Sequence, residues 1–305
     1  VGLVTRLRVE ELVAIADFPA GMNVNVPELG EQTRFERPVL RSRLRTRQGQ
    51  LLHVVVAHLK SKRPKFLQDD QGKPLEDRND PRIVARATLR SLIRRAAEAA
   101  ALRAIVVDIL KNTHEPLILM GDLNDGPHAV TTQMVAATSE VAFNREARDT
   151  ALFNAYDIQT GRMLLRDVAY SHIHQGFAEV LDQIFVSEEF VSDSRFALGD
   201  VRRVDYFNDH LNEGRDRIRS DHGFVRALLR LRMLRNKAHV FMAGSQTVPF
   251  FEYHGLPSML KKSAKQQPGH ATAPAAPVSP SATGSADLPL EPQVAGQCSG
   301  TTPCP

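Results

Sequence analysis

One stretch limits most of what this chain can fold into. An apolar run, Leu51 to Leu59 (LLHVVVAHL), is followed by a long helical pattern and then by a second apolar run, Pro116 to Met120 (PLILM). A short Val- and Leu-rich run without strict alternation predicts a strand buried on both faces. Between the two runs, Asn79-Asp80-Pro81 offers an N-cap and a proline for the first helical turn. From there an Ala-rich helical pattern continues to about Leu110. Further strands are expected at Val180 to Val186 (VLDQIFV) and Gly223 to Leu231 (GFVRALLRL). Strand, helix, strand and further strands predict an α/β protein with mixed sheets. Lys60 to Asp80 is polar, holds two Pro and one Gly, and reads as a long loop. Such loops in compact domains often carry function.

Composition narrows the class. With 39 Lys+Arg against 35 Asp+Glu, the net charge of the 305 residues is +4, and 42% hydrophobic with 24% charged residues excludes a fully disordered, collagen-like or coiled-coil chain. No run approaches the 18 apolar residues of a membrane-spanning helix. The only cysteines, Cys298 and Cys304, fall at the end, so the body has no disulfide framework and no Cys-based metal site. Ser263 to Pro305 contains eight Pro and no aromatic residue. Such a segment cannot bury enough apolar area to offset its ordering entropy, and it reads as a disordered tail behind one domain over residues 1–262. Val1 opens on VGLVTRLRV, read as a strand already under way, so the chain is expected to be a fragment or a processed product. Compartment and oligomeric state are left open.

Two basic stripes bear on partners. Arg82, Arg86, Arg90 and Arg94 recur every four residues and read as a solvated helix face, with a polyanion contact as the alternative. Arg41, Arg43, Arg45 and Arg47 alternate along a strand-like segment and share one face. With Lys60, Lys62, Arg63 and Lys65 they form either a solubilising outer sheet face or a contact for a phosphate backbone. The sequence pI of about 9.2 leans toward a polyanionic partner. Six per cent aromatics and no Trp argue against a base-stacking platform for single strands, and no base-reading motif is present.

Polar residues that could do chemistry sit at strand ends. His58 closes VVVAHL, Asp122 and Asn124 follow LILM, and Asp221 with His222 precede GFVRALL. Asp182 stands in an otherwise apolar strand, where a carboxylate is costly without a partner. Each alone has an ordinary structural explanation; converging on one sheet edge, they would form a site. His172 and His174 flank Ile173, so that on a strand both rings share a face. A zinc pair there needs a third ligand, and none is near in sequence. His128 and His210 read as loop residues.

The fragments AHLKS (57–61), GDLND (121–125), LDQIFV (181–186) and SDHGFV (220–225) resemble the endonuclease/exonuclease/phosphatase superfamily, the DNase I-like family. The resemblance spans roughly residues 1 to 232. Gly2 to Arg6 resembles a family strand that carries an Arg, and Phe35-Glu-Arg-Pro38 the segment that sets an Arg near the scissile phosphate. The resemblance implies two mixed β-sheets packed as a sandwich with helices outside, a four-layer α/β/β/α fold. It implies hydrolysis of phosphate esters with a divalent metal, usually Mg²⁺, with Mn²⁺ or Ca²⁺ as substitutes. Asp221 would ligate the metal, and His222 would contact phosphate or act as base, oriented by Asp182. Asp122 would position or deprotonate water, Asn124 would hydrogen-bond phosphoryl oxygens, and His58 would serve as second histidine. Arg37 and Arg6 would bind the substrate phosphate.

The family's metal-binding Glu precedes the strand matched by Gly2 to Arg6, so the chain is expected to lack that N-terminal segment. The function this implies is a metal-dependent phosphodiester hydrolase, a nuclease of weak sequence specificity, with nucleic acid as partner. The alternatives are a phosphatase or phospholipase on inositol-phosphate or sphingomyelin-like substrates, and a non-catalytic binding module.

Overall fold

A computed structural model describes residues 1–141, 144–160, 169–212 and 220–232. The expected boundary near Lys262 and the tail beyond it lie outside the described residues. Twelve strands and four α-helices are present among the described residues. Strands β1 (Arg8–Asp17), β4 (Arg34–Arg45) and β5 (Leu51–His58) run antiparallel in succession, and a small hairpin of β2 (Val24–Val26) and β3 (Gly30–Gln32) separates the first two. Helix α1 (Pro81–Leu110) carries the chain across to β6 (Leu117–Asp122), which pairs parallel with β5. After α2 (Val130–Ala136) and α3 (Thr138–Val141) come β7 (Phe153–Asn154) and α4 (Ala155–Ile158). A second hairpin, β8 (His172–His174) and β9 (Phe177–Glu179), leads into β10 (Asp182–Val186). Strands β11 (Gly199–Phe207) and β12 (Phe224–Leu231) form a separate antiparallel pair. The main sheet has six strands in the order β1-β4-β5-β6-β10-β7.

The sequence explains why α1 and the two central strands pack as they do. Asp80 caps the helix, its carboxylate accepting from the Arg82 amide at 2.8 Å, and Pro81 occupies the first turn. The helix buries Ala97, Ala101, Leu102, Ile105, Val106 and Ile109 against Val55, Ala57, Leu117 and Leu119 of β5 and β6. Alanines on that face let the helix approach the sheet closely. The other face of the sheet, through Leu44, Val54 and Val186, packs on Val201 and Val204 of β11. The apolar strands β5 and β6 are therefore covered on both sides, as continuous hydrophobic runs require. The expected mixed α/β architecture with a second packed sheet is present; that second sheet is two-stranded among the described residues.

Three expectations change. The strand read from Val1 starts only at Arg8, because its partner β4 ends opposite it at Arg45 and leaves residues 1–7 without a pairing edge. The helix stripe read as solvated is partly covered. Arg90 is 1% exposed, donates to both carboxylate oxygens of Glu76 at 2.7 and 2.8 Å, and also pairs with Glu28. Arg86 pairs with Glu28 and Arg94 with Glu36. The long loop 60–80 lies on that face, held by Lys65 N donating to Ala87 O and Ser91 Oγ donating to Arg63 O. In the strand stripe, Arg41 pairs with Glu11, Arg43 with Glu115 and Arg45 with Glu10. Three of the four arginines are thus ion-paired within the fold, while Arg47 lies exposed in the turn after β4.

Candidate active site

Register brings the strand-end residues together. The parallel β5–β6 pairing sets His58 beside Asp122, and the antiparallel β6–β10 pairing sets Asp122 opposite Asp182. Three polar residues thus line up across three neighbouring strands. The approach of β6 to β5 demands a glycine just before Asp122: Gly121 has φ +140°, and a Cβ there would lie 1.9 Å from Ala57 O. Asp122 Oδ1 then accepts from the Asn124 amide at 2.8 Å in a turn where Asn124 is left-handed at φ +56°. Asn124 Nδ2 gives one hydrogen to Leu59 O at 2.8 Å and keeps a second.

His222 comes from the other sheet. An isolated antiparallel bridge pairs it with His172 of β8, and its Nδ1 meets Asp182 Oδ2 at 2.6 Å. The carboxylate can only accept, so Nδ1 carries the proton and Nε2 remains open. Ser171 fixes the other half of this pair: its buried Oγ accepts from the amides of Leu181 and Asp182, and its carbonyl accepts from Gly223. His210 Nε2 donates to the His222 carbonyl at 3.0 Å. Both residues are positioning groups that the sequence did not reveal. No sequence motif marks Ser171, and His210 reads from the sequence as a loop residue.

Electrostatics separate the two histidines. The Asp182 hydrogen bond raises the His222 pKa against the effect of partial burial. Burial lowers the His58 pKa even though Asp122 Oδ2 stands 3.3 Å from its Nε2. Burial, and then the nearby Asp182 carboxylate, raise the Asp122 pKa. One histidine is thus held toward its charged form and the other toward its neutral form, the kind of divergence that assigns different roles to like groups.

These residues line one cavity of about 630 Å³ with Arg37, Lys62, Arg63, Asp221 and, along one wall, His172, His174 and Glu179. Asp221 is exposed beside His222. Arg37 Nη1 is buried without a hydrogen-bond partner, an unmet donor that suits an anion. Arg6 is exposed before β1 and is not among the residues that line the cavity. Lys62 Nζ reaches Glu179 Oε1 at 2.6 Å, joining the long loop to β9. Donor atoms of Asp122, Asp182 and His222 lie within 4.8 Å of one another. Two carboxylates at that spacing form a hard-oxygen donor set whose mutual repulsion a Mg²⁺-class ion would relieve, so the residues fit such an ion.

Glu98 of α1 supports the site from behind. Its carboxylate oxygens accept from the amides of Glu36 at 2.8 Å and Lys60 at 2.6 Å, fixing the backbone next to Arg37 and just past His58. Burial raises the Glu98 pKa above the usual carboxylate range. The folded state therefore holds this proton more tightly than the unfolded chain. Glu98's contribution to stability is full below the ordinary carboxylate pKa and is lost as pH rises through the raised value. Denaturant titrations between pH 4 and 8 will show that fall in the wild type. In Glu98→Gln the same segment of the curve will be flatter; an unchanged slope would exclude Glu98 as its source.

A family model described as the endonuclease/exonuclease/phosphatase family matches residues 22–244. No curated protein matches the chain. Among solved structures, the human Nocturnin catalytic domain with bound sulfate is 18% identical, with 74% of this chain and 61% of that one covered and a TM-score of 0.42. An endonuclease/exonuclease/phosphatase from Bacteroides vulgatus is 13% identical over 74% of this chain and 66% of that one, TM-score 0.42. A family protein from Leptotrichia buccalis is 14% identical over 75% and 62%, TM-score 0.39. In each case the chain spans less than two thirds of the other's length. The matched segment covers most of the chain and includes every cavity residue named above, and the chain belongs to the endonuclease/exonuclease/phosphatase family.

Proposed function

We propose that the chain is a metal-dependent phosphodiester hydrolase acting on nucleic acid with weak sequence specificity. The observation that carries this reading is the Asp182–His222 contact of 2.6 Å in the same cavity as the buried, unpartnered Arg37 Nη1. A base with an open Nε2 and a cation with an unmet donor are what water attack on a phosphate ester requires. His222 takes the water proton on Nε2, and Asp182 stabilises the imidazolium that results. Asp122 orients the water. Arg37 and the second Asn124 hydrogen bind phosphoryl oxygens, and His58 faces the leaving group. Asp122 and Asp182, whose donor atoms stand within 4.8 Å of each other, would hold a divalent ion, with the exposed Asp221 as the further ligand that the family resemblance implies; when bound, the ion neutralises charge developing on the phosphoryl oxygens. Arg63, which lines the cavity, favours a chain of phosphates, whereas Lys62, paired with Glu179, and the ion-paired Arg41, Arg43 and Arg45 add little to that preference.

The test uses protein stripped of metal, with bis(p-nitrophenyl) phosphate and mixed-sequence oligonucleotides as substrates. Hydrolysis is expected on adding Mg²⁺ and is expected to stop on chelation. No cleavage of either substrate with Mg²⁺, Mn²⁺ or Ca²⁺ would overturn the reading. One observation favours a phosphatase instead: the Lys62–Glu179 contact neutralises a cation lining the cavity and leaves less positive charge there for a long phosphate chain. Faster phosphate release from a monoester than diester cleavage would favour that second reading.

A further inference from the structure

We infer that the chain carries a transition-metal site, formed by His172, Asp221 and His222, that takes Zn²⁺ in preference to Mg²⁺. One donor atom from each of the three lies within 4.8 Å of the others. Ligands of a tetrahedral zinc stand about 3.4 Å apart, so small side-chain rotations close the set. The backbone already holds the two histidines together: the isolated His172–His222 bridge pairs their positions, and their ring centroids are 4.9 Å apart. The bridge thus gives His172 two partners, Asp221 and His222, from another part of the chain, and His174 is not in the set.

The surroundings resemble those of ligating imidazoles. A metal-bound histidine gives its second ring nitrogen to a carboxylate. His222 does so already, with Nδ1 on Asp182 Oδ2 at 2.6 Å. His172 has no such bond: its Nδ1 is buried and unpartnered, with Glu179 Oε2 3.8 Å away. A ligand on one nitrogen of His172 would fix the ring and leave Glu179 as the acceptor for the other. Two imidazoles and one carboxylate make a borderline-soft donor set, which suits Zn²⁺ and other late first-row ions and is poor for Mg²⁺.

The site shares Asp221 and His222 with the proposed hydrolytic machinery. The His222 Nε2 lone pair cannot bind zinc and accept a water proton at once. Zn²⁺ is therefore an inhibitor of the Mg²⁺-supported reaction, a consequence that rests on the proposed function, whereas the binding does not. The experiment titrates the metal-stripped full chain with Zn²⁺ against a chromogenic chelator, in millimolar Mg²⁺. Wild type is expected to retain zinc, His172→Asn and Asp221→Asn each to lose at least about tenfold in affinity, and Asp182→Asn about 10–100-fold. Asp221 is exposed, so its substitution does not threaten folding. Wild-type affinity in both His172→Asn and Asp221→Asn would overturn the site and place any bound zinc elsewhere, for instance on Cys298 and Cys304. A zinc affinity that falls in these variants while no phosphodiester is cleaved upholds the site and removes the hydrolase reading.

Discussion

Replacing His222 with alanine is expected to lower turnover by about 10²–10⁴, the range for losing a positioned general base. The Asp182 hydrogen bond is the first cause of the raised His222 pKa. A base works only when deprotonated, so activity should climb as pH rises through a value above the ordinary imidazole pKa of about 6.5. Asp182→Asn removes that cause. Its acid limb in kcat/KM should move to lower pH while the maximal rate falls, because the imidazolium loses its counter-charge. A purely structural role for Asp182 would lower the rate without moving the limb. An unchanged turnover in His222→Ala would remove His222 from the mechanism.

Arg95→Leu is expected to cost about 3–5 kcal/mol of folding stability, the usual penalty for breaking one side of a buried ion pair. Arg95 Nε donates to Asp125 Oδ2 at 2.6 Å, and both residues are buried. The same carboxylate accepts from Thr131 Oγ1, and the Asp125 carbonyl accepts from Gln183 Nε2 of β10. Asp125 thus anchors the loop after β6 to both α1 and β10, and Asp122 keeps its place through that anchor. Chemical denaturation measures the loss; a change under 1 kcal/mol would show that the pair contributes little.

The two aspartates of GDLND show where the sequence was legible and where it was not. The motif and its position after an apolar run put Asp122 at a strand end, and strand register then sets it beside His58 and Asp182. Nothing in the five letters said that Asp125 turns inward to Arg95, since that choice is made by a helix residue 30 positions away. Strands β5, β6, β10 and β12 were legible for the same reason, as apolar runs of strand length. Strand β1 was not, although it holds the apolar run Leu12 to Ala16, because it is mostly exposed and its residues do not alternate between a buried and an open face. The arginine stripe on α1 misled because periodicity reports a shared face, not what lies on it, and the acidic loop residue Glu76 covers part of that face. His172 gained its meaning only from the bridge to His222, a contact across 50 residues.

The proposed function rests on a spatial claim, that His58, Asp122, Asn124, Asp182, Asp221 and His222, which line one cavity, would surround one phosphorus atom. Imidazole NMR signals followed during titration with inorganic phosphate, in the presence of Mg²⁺, test it directly. His58 and His222 are predicted to shift together with one shared Kd. His53, held by Glu115, and His114, stacked on Phe196, should stay fixed. A titration in which His58 and His222 respond with different affinities, or in which only one responds, would contradict the account.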